Sequence, residues 1–270
     1  MSTVPYARPE AGAATELPPP VLATASEPLV SIIIPALNEA RNLPHVMAAL
    51  PQVDEVILVD GGSTDDTVDV ARRLMPGVRI VQQNRKGKGN ALACGFAAAT
   101  GDIIVMIDAD GSTDPKEIPS FIEALRSGAD FAKGSRFSVG GGSADITRLR
   151  RLGNHGLNLM VNVLFGTRYS DLCYGYNAFW ARHLDVFDLD STTPHDGRLW
   201  GDGFEIETLL NLRAARARLR IVEVPSFEQQ RIHGESNLNA VTDGLRVLRT
   251  IAREWTRRRA AAHRAPERTR

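Results

Sequence analysis

From residue 30 onward, short apolar and β-branched runs alternate with helix-patterned segments, which restricts the chain to a mainly parallel sheet joined by crossover helices. Residues 30–34 read as the first strand, 38–50 as a helix, 55–59 as a strand, 65–74 as a helix and 78–81 as a strand. A small-residue helix is expected over 90–99, a wholly apolar strand over 103–107, a helix opened by proline over 115–126 and a short strand over 131–133. The second half is less regular, with helices over 148–165, 204–215 and 239–255 and strands over 176–180 and 220–224. The fold class is therefore α/β, a Rossmann-like, mainly parallel (mixed) sheet flanked by helices.

Residues 1–28, rich in Ala, Pro and Thr, read as a disordered leader, 29–248 as one domain and 249–270 as a basic tail. That tail sets Arg249, Arg253, Arg257, Arg258, Arg259, Arg264, Arg268 and Arg270 against Glu254 and Glu267, a composition suited to anionic lipid headgroups or to simple solvation. A net charge of zero and the lack of interleaved aromatics give no reason to expect a nucleic-acid partner. Cys94 and Cys173 form no CxxC pair, which suits a reducing cytoplasm. With no run of about twenty apolar residues, membrane contact is expected to be peripheral, at the inner face. The oligomeric state is left open.

Asp108 and Asp110 follow the apolar strand, and residues two apart in extended chain point the same way. Paired carboxylates past the carboxyl end of a strand suit Mg2+ or Mn2+, which neutralises a diphosphate. Taken alone, the pair reads more readily as an acidic turn before the helix at Pro115. The other strand ends decide between the two. Pro35, Ala36, Leu37, Asn38 and Glu39 end the first strand, Asp60 to Asp65 the second, and this rim is where open α/β sheets bind ligands. Asn38 and Asp65 also suit helix caps. Lys88, between Gly87 and Gly89, reaches toward phosphate from a flexible turn, although no P-loop pattern is present.

The segments VSIIIPALNEARN, ILVDGGSTDDT, GKGNALACGF, GDIIVMIDADGSTDP and KGSRF, in that order, resemble glycosyltransferase family 2. Within it, DLCYGYNAF, GFEIETLL and EVPSFEQQRIHGESNL look most like the dolichol- or polyprenyl-phosphate mannose and glucose synthases. The resemblance implies the GT-A fold and an inverting transfer of a hexose from a UDP- or GDP-sugar. It places Pro35, Leu37, Glu39 and Asp60 at the base and ribose, with Ala36 and Ala109 in the same donor-binding stretches, and Asp108 and Asp110 at the metal. Ser112 stands where these synthases have a metal-assisting Gln. Arg136 and Arg231 match basic residues near diphosphate and acceptor, Arg150 less closely.

Two departures bear on the acceptor. Asn237 replaces a Lys of the synthases, which weakens the case for a phosphate acceptor. Asp202 is a carboxylate where they have none, and a hydroxyl acceptor needs a base whereas a phosphate does not. Asp202, or else Asp171, is the candidate base; Asp202 equally suits a helix N-cap. The acceptor is thus expected to be a polyprenyl phosphate, the alternatives being a soluble hydroxyl compound with Asp202 as base, or a non-catalytic nucleotide-sugar-binding module. The segment after the first strand lacks the glycine-rich loops of a sugar-phosphate nucleotidyltransferase or a dehydrogenase.

Two further segments carry expectations. Gly140, Gly141 and Gly142 suggest a mobile loop over 138–145. In the 148–165 helix, Asn154, Asn158 and Asn162 form an amide stripe between two apolar faces, so burial on most sides is expected, with an interfacial position near a lipid acceptor as the alternative.

Overall fold

The computed structural model describes residues 27–234 and 240–264. The leader expected over 1–28 lies almost wholly outside the described residues, and Asn237 lies outside them too. The first half follows the expected alternation: β1 (Val30–Ala36), α1 (Leu43–Ala49), β2 (Glu55–Asp60), α2 (Thr67–Leu74), β3 (Arg79–Gln82), α3 (Lys88–Ala98) and β4 (Ile103–Met106). A 3-10 turn at Pro115–Glu117 leads into α4 (Ile118–Arg126), then β5 (Phe131–Ser135), β6 (Gly142–Ser143), α5 (Arg148–Phe165) and β7 (Asn177–Trp180). The chain continues through α6 (Leu184–Phe187), α7 (Ile206–Arg216), β8 (Ile221–Pro225), β9 (Phe227–Glu228) and α8 (Ala240–Arg264).

Seven strands form one mixed sheet in the order β3-β2-β1-β4-β7-β5-β8. β1 pairs in parallel with both β2 and β4, so the strand order reverses at β1/β4 and opens a crevice at their carboxyl ends. β7 runs antiparallel to both its neighbours. Both faces of the sheet are covered, which is why its central strands are apolar without alternation. Ile32 and Ile34 face α1 and α4 in one cluster, while Ile33, Ile57 and Met106 face α3 and α7 in another. The small residues of α3 let it lie close: a Cβ on Gly95 would stand 2.4 Å from Ile33 Cγ2 and 2.9 Å from Val59 Cγ2.

Three expectations need correction. The helix expected from residue 38 begins at Leu43, because Asn38 takes a left-handed φ of 58° and residues 39–42 turn across the rim. The glycine run is not a free loop. Gly142–Ser143 pairs with Phe227–Glu228, and Gly142 N–H donates to Ser226 O at 3.1 Å. The boundary expected at 248 falls inside α8, whose Val247 and Ile251 pack with Val161, Phe165 and Leu212 in a third cluster. Glu254, fully buried, pairs there with Arg213 and Arg216.

The amide stripe of α5 is bonded to a neighbouring segment, residues 169–172. Asn154 Nδ2 donates to Asp171 Oδ1 at 2.9 Å, Asn158 Oδ1 accepts from Leu172 N–H at 2.7 Å, and Asn162 Oδ1 accepts from Tyr169 N–H at 2.8 Å. Only one apolar face of α5 is covered. Leu149, Leu152, Leu159 and Val163, on the other, are 63–74% exposed. Among the described residues no helix is long and apolar enough to cross a membrane.

Candidate active site

The rim at the β1/β4 reversal is built by close backbone contacts. Ala36 lies opposite Asp60 in the β1/β2 register, and Gly61 N–H donates to Ala36 O at 2.8 Å. A Cβ on Gly61 would come within 3.2 Å of Ala36 O and Leu37 Cβ, so glycine lets the two strand ends meet. Asn38 Oδ1 accepts from Thr64 N–H at 2.8 Å, and Glu39 N–H donates to Thr67 Oγ1 at 2.8 Å. Asp60 accepts from the N–H groups of Gly62 and Ser63 and from Gln82 Nε2. Burial pushes its carboxyl upward, but these donors, Ser63 and Gln82 foremost, outweigh it and hold the pKa below the usual value. Leu37 is half exposed on the same rim, beside Pro35.

Asp108 and Asp110 occupy the turn after β4, where Asp110 Oδ1 accepts from Ser112 N–H at 2.9 Å. Ser112 thus contacts Asp110 through its backbone N–H. Each aspartate meets a cation. Lys88 Nζ, at the first residue of α3, lies 2.5 Å from Asp108 Oδ1 and 2.8 Å from Glu207 Oε1. Arg231 reaches Asp110 Oδ2 at 2.9 Å and Glu39 Oε1 at 3.0 Å. Burial opposes the Lys88 charge, yet Asp108 and Glu207 hold the ammonium well above its usual range. Burial raises the Glu207 and Glu39 carboxyls, offset in part by Lys88 for the first and by Asn42 and Arg231 for the second.

Four carboxylates against two cations leave a formal excess of two negative charges at this rim. A divalent ion at Asp108 and Asp110 would offset that excess. Among the described residues no three acidic, His or Cys side chains form a protein-only metal cage.

Other expected site residues are held by contacts within the protein. Lys88 does not ride on a flexible turn: Gly89 N–H donates to Asp202 O at 2.8 Å, and a Cβ on Gly89 would come within 1.8 Å of Gly201 O. The Asp202 carboxylate is engaged by the protein. It grips Arg85 Nε at 2.9 Å and Nη2 at 3.0 Å and accepts from Leu199 N–H at 2.7 Å. Asp171, fully buried, accepts from Arg136 Nε at 2.7 Å, Arg136 Nη2 at 2.9 Å and Asn154. These contacts with Arg136 overcome burial and lower the Asp171 pKa. Arg136 also holds Glu228 at 3.0 Å and lies 4.8 Å from the centre of the Tyr174 ring, so each of its guanidinium nitrogens is engaged by a carboxylate. Arg150 pairs with Asp145 at 3.0 Å.

Glu207, Arg85 and Glu228 were not singled out from the sequence. Glu207 lies inside the quoted GFEIETLL segment, in the first turn of a helix that follows glycines, and that placement was the available signal. Replacing Asp202 with Asn is expected to lower Tm by several degrees while transfer below Tm stays within about tenfold of wild type. A loss of more than about a hundredfold at unchanged Tm would restore Asp202 as a general base.

The crevice at the strand-order reversal, with its polar rim and the paired carboxylates beyond β4, lies where an open α/β sheet binds its ligand. Comparison with known proteins gives the family. The profile of Glycosyl transferase family 2 matches residues 31–187. An undecaprenyl-phosphate mannosyltransferase of Micrococcus luteus is 32% identical over 246 residues, 86% of this chain and 98% of that protein. A dolichol-phosphate mannosyltransferase of Pyrococcus furiosus is 31% identical over 79% of this chain, but the match spans only 60% of that protein. Among solved structures, glucosyl-3-phosphoglycerate synthase from Mycobacterium tuberculosis, in complex with Mn2+, UDP and glucosyl-3-phosphoglycerate, aligns with a TM-score of 0.66 at 25% identity. That alignment covers 85% of this chain and 81% of that one. The chain belongs to glycosyl transferase family 2, has the GT-A fold, and is a nucleotide-sugar-dependent glycosyltransferase.

Proposed function

We propose that the chain transfers a hexose with inversion from a UDP- or GDP-sugar to a polyprenyl phosphate at the cytoplasmic face of the membrane. The observation that carries this reading is the pair of charge relays at the β1/β4 rim, Glu207–Lys88–Asp108 and Asp110–Arg231–Glu39. Asp60, Glu39, Leu37, Pro35 and Ala36 bind base and ribose, and Ala109 keeps the two aspartates two residues apart. Asp108 and Asp110 would hold Mg2+ or Mn2+, which when bound neutralises the departing diphosphate. Lys88 and Arg231 supply positive charge where the leaving group gathers negative charge, and Glu207 and Glu39 keep both side chains aimed there.

The state of the other carboxylates favours a phosphate acceptor. A hydroxyl must lose a proton as it attacks, whereas a phosphate arrives anionic. Asp202 and Asp171, the two candidate bases, are each locked in a bidentate contact with an arginine. The name of the Micrococcus relative, which the chain spans almost completely, agrees with such an acceptor. The uncovered apolar face of α5, flanked by the exposed Arg148 and Arg151, supports a peripheral position on an anionic bilayer.

The test is transfer from labelled UDP- and GDP-hexoses, with Mn2+ or Mg2+, to undecaprenyl phosphate in phosphatidylglycerol-containing vesicles. A butanol-extractable labelled lipid, with the protein floating alongside the vesicles, is expected. Label appearing only on soluble hydroxyl acceptors would refute the acceptor assignment while leaving the donor site intact.

A further inference from the structure

Residues 229–234 belong to no helix or strand, yet they are fastened along the carboxyl rim of the sheet. Gln229 N–H donates to Ser112 O at 2.8 Å and Ile232 N–H to Asp110 O at 3.2 Å, so the segment runs across the turn that follows β4. Asn42 Nδ2 donates to His233 O at 3.1 Å, which ties the far end to the residue before α1. Upstream, both oxygens of Glu228 accept from Arg136 Nη1 at 3.0 Å. Between these ties stands Arg231, whose guanidinium joins Asp110 to Glu39.

The two ion pairs of Arg231 do not by themselves explain its placement. Its side chain is 25% exposed, and ion pairs in contact with water hold a segment weakly. A long, rotamer-rich arginine keeps its aim only where its backbone is fixed. The next residue supplies that fixture. Gly111 takes a left-handed φ of 78°, and a Cβ there would stand 2.5 Å from Ile232 Cδ1 and 2.9 Å from Ile232 Cγ1. The Ile232 side chain therefore fills the space that a side chain on Gly111 would take, directly over the turn that carries Asp110. Isoleucine is β-branched and stiff at χ1, so a side chain seated there fixes the backbone that bears it. Ile232 is nevertheless 41% exposed and adds little to the core.

We infer that Ile232 is a positioning residue for Arg231: seated on Gly111, it sets the backbone from which the guanidinium reaches Asp110 and Glu39. This rests on the proposed role of Arg231 at the leaving diphosphate. The Ile232 side chain acts through its neighbour and not on the reacting atoms. A displaced guanidinium costs rate rather than fold, because stabilisation of a developing charge depends on where the donor stands.

The experiment is a double-mutant cycle on the full-length chain, with initial rates for the donor and acceptor pair that the transfer assay identifies. Arg231→Met is expected to lower kcat by about a hundredfold. Ile232→Ala is expected to lower kcat by about tenfold, with KM for the donor within about twofold and Tm within a few degrees of wild type. Ile232→Val keeps the branched Cβ and should recover kcat to within about threefold of wild type. In the double variant the loss should stay within about twofold of Arg231→Met alone, since an arginine already removed cannot be misplaced. Thermal melts show that each variant is folded. Wild-type kcat in Ile232→Ala, a change confined to KM, or losses that multiply to about a thousandfold in the double variant overturns the inference and leaves Arg231 in the reaction. Wild-type kcat in Arg231→Met instead removes the arginine from the reaction, and the positioning role with it.

Discussion

Asp108→Asn and Asp110→Asn are each expected to lower kcat/KM for transfer by about a thousandfold or more, with Tm within a few degrees of wild type. The magnitude follows from what a metal contact contributes to a developing diphosphate charge, several kcal/mol, each 1.4 kcal/mol being a factor of ten. The fold should tolerate the change because both side chains lie at the rim, 30% and 14% exposed, outside the packed clusters. An asparagine oxygen can still accept from Ser112 N–H, so the turn after β4 keeps its shape. What is lost is charge, and with it the means to balance Lys88 and Arg231 against a bound diphosphate. Initial rates at saturating Mn2+, beside a thermal melt, decide the matter. Near-wild-type rates in either variant would remove that carboxylate from the mechanism.

Arg136→Met is expected to act in the opposite manner, on stability first. Its guanidinium is shared between Asp171, which is fully buried, and Glu228, and removing it leaves two carboxylates without their cation in a dry interior. Breaking a buried ion pair from one side costs about 3–5 kcal/mol, since the partner charge stays behind. Lys133, the other cation acting on Asp171, donates to Gly134 O at 2.9 Å, and burial lowers its pKa, so it is a poor substitute. Urea denaturation should show the midpoint falling with little change in slope. Full stability combined with a large rise in KM for the donor would return Arg136 to the diphosphate.

Most of the sheet was legible because buried parallel strands declare themselves: 103–107, wholly apolar, became β4 to within a residue, and 148–165 became α5 with the same limits. The rim was legible for a related reason, since polar clusters directly after such strands have one place to be. What escaped was long-range pairing between charges. Nothing in the neighbourhood of Asp202 announces that Arg85, 117 positions away, will take its carboxylate. Likewise Arg136 reads as a free cation near substrate until Asp171 and Glu228 are brought to it by α5 and the β6/β9 pair. The glycine run at 140–142 misled for a local reason. Glycine permits a mobile loop, but it equally permits the close approach of Phe227, whose ring would stand 2.6 Å from a Cβ on Gly142.

The most direct test of the donor site is a crystal structure of the chain soaked with Mn2+ and UDP or GDP, using manganese anomalous scattering to locate the ion. The anomalous peak is expected at the Asp108 and Asp110 carboxylates, bridged to the diphosphate, with the base on the Pro35, Leu37 and Asp60 side of the β1/β4 crevice. A nucleotide bound with its phosphates away from that crevice, or manganese found on other carboxylates while these two keep Lys88 and Arg231, would contradict the account.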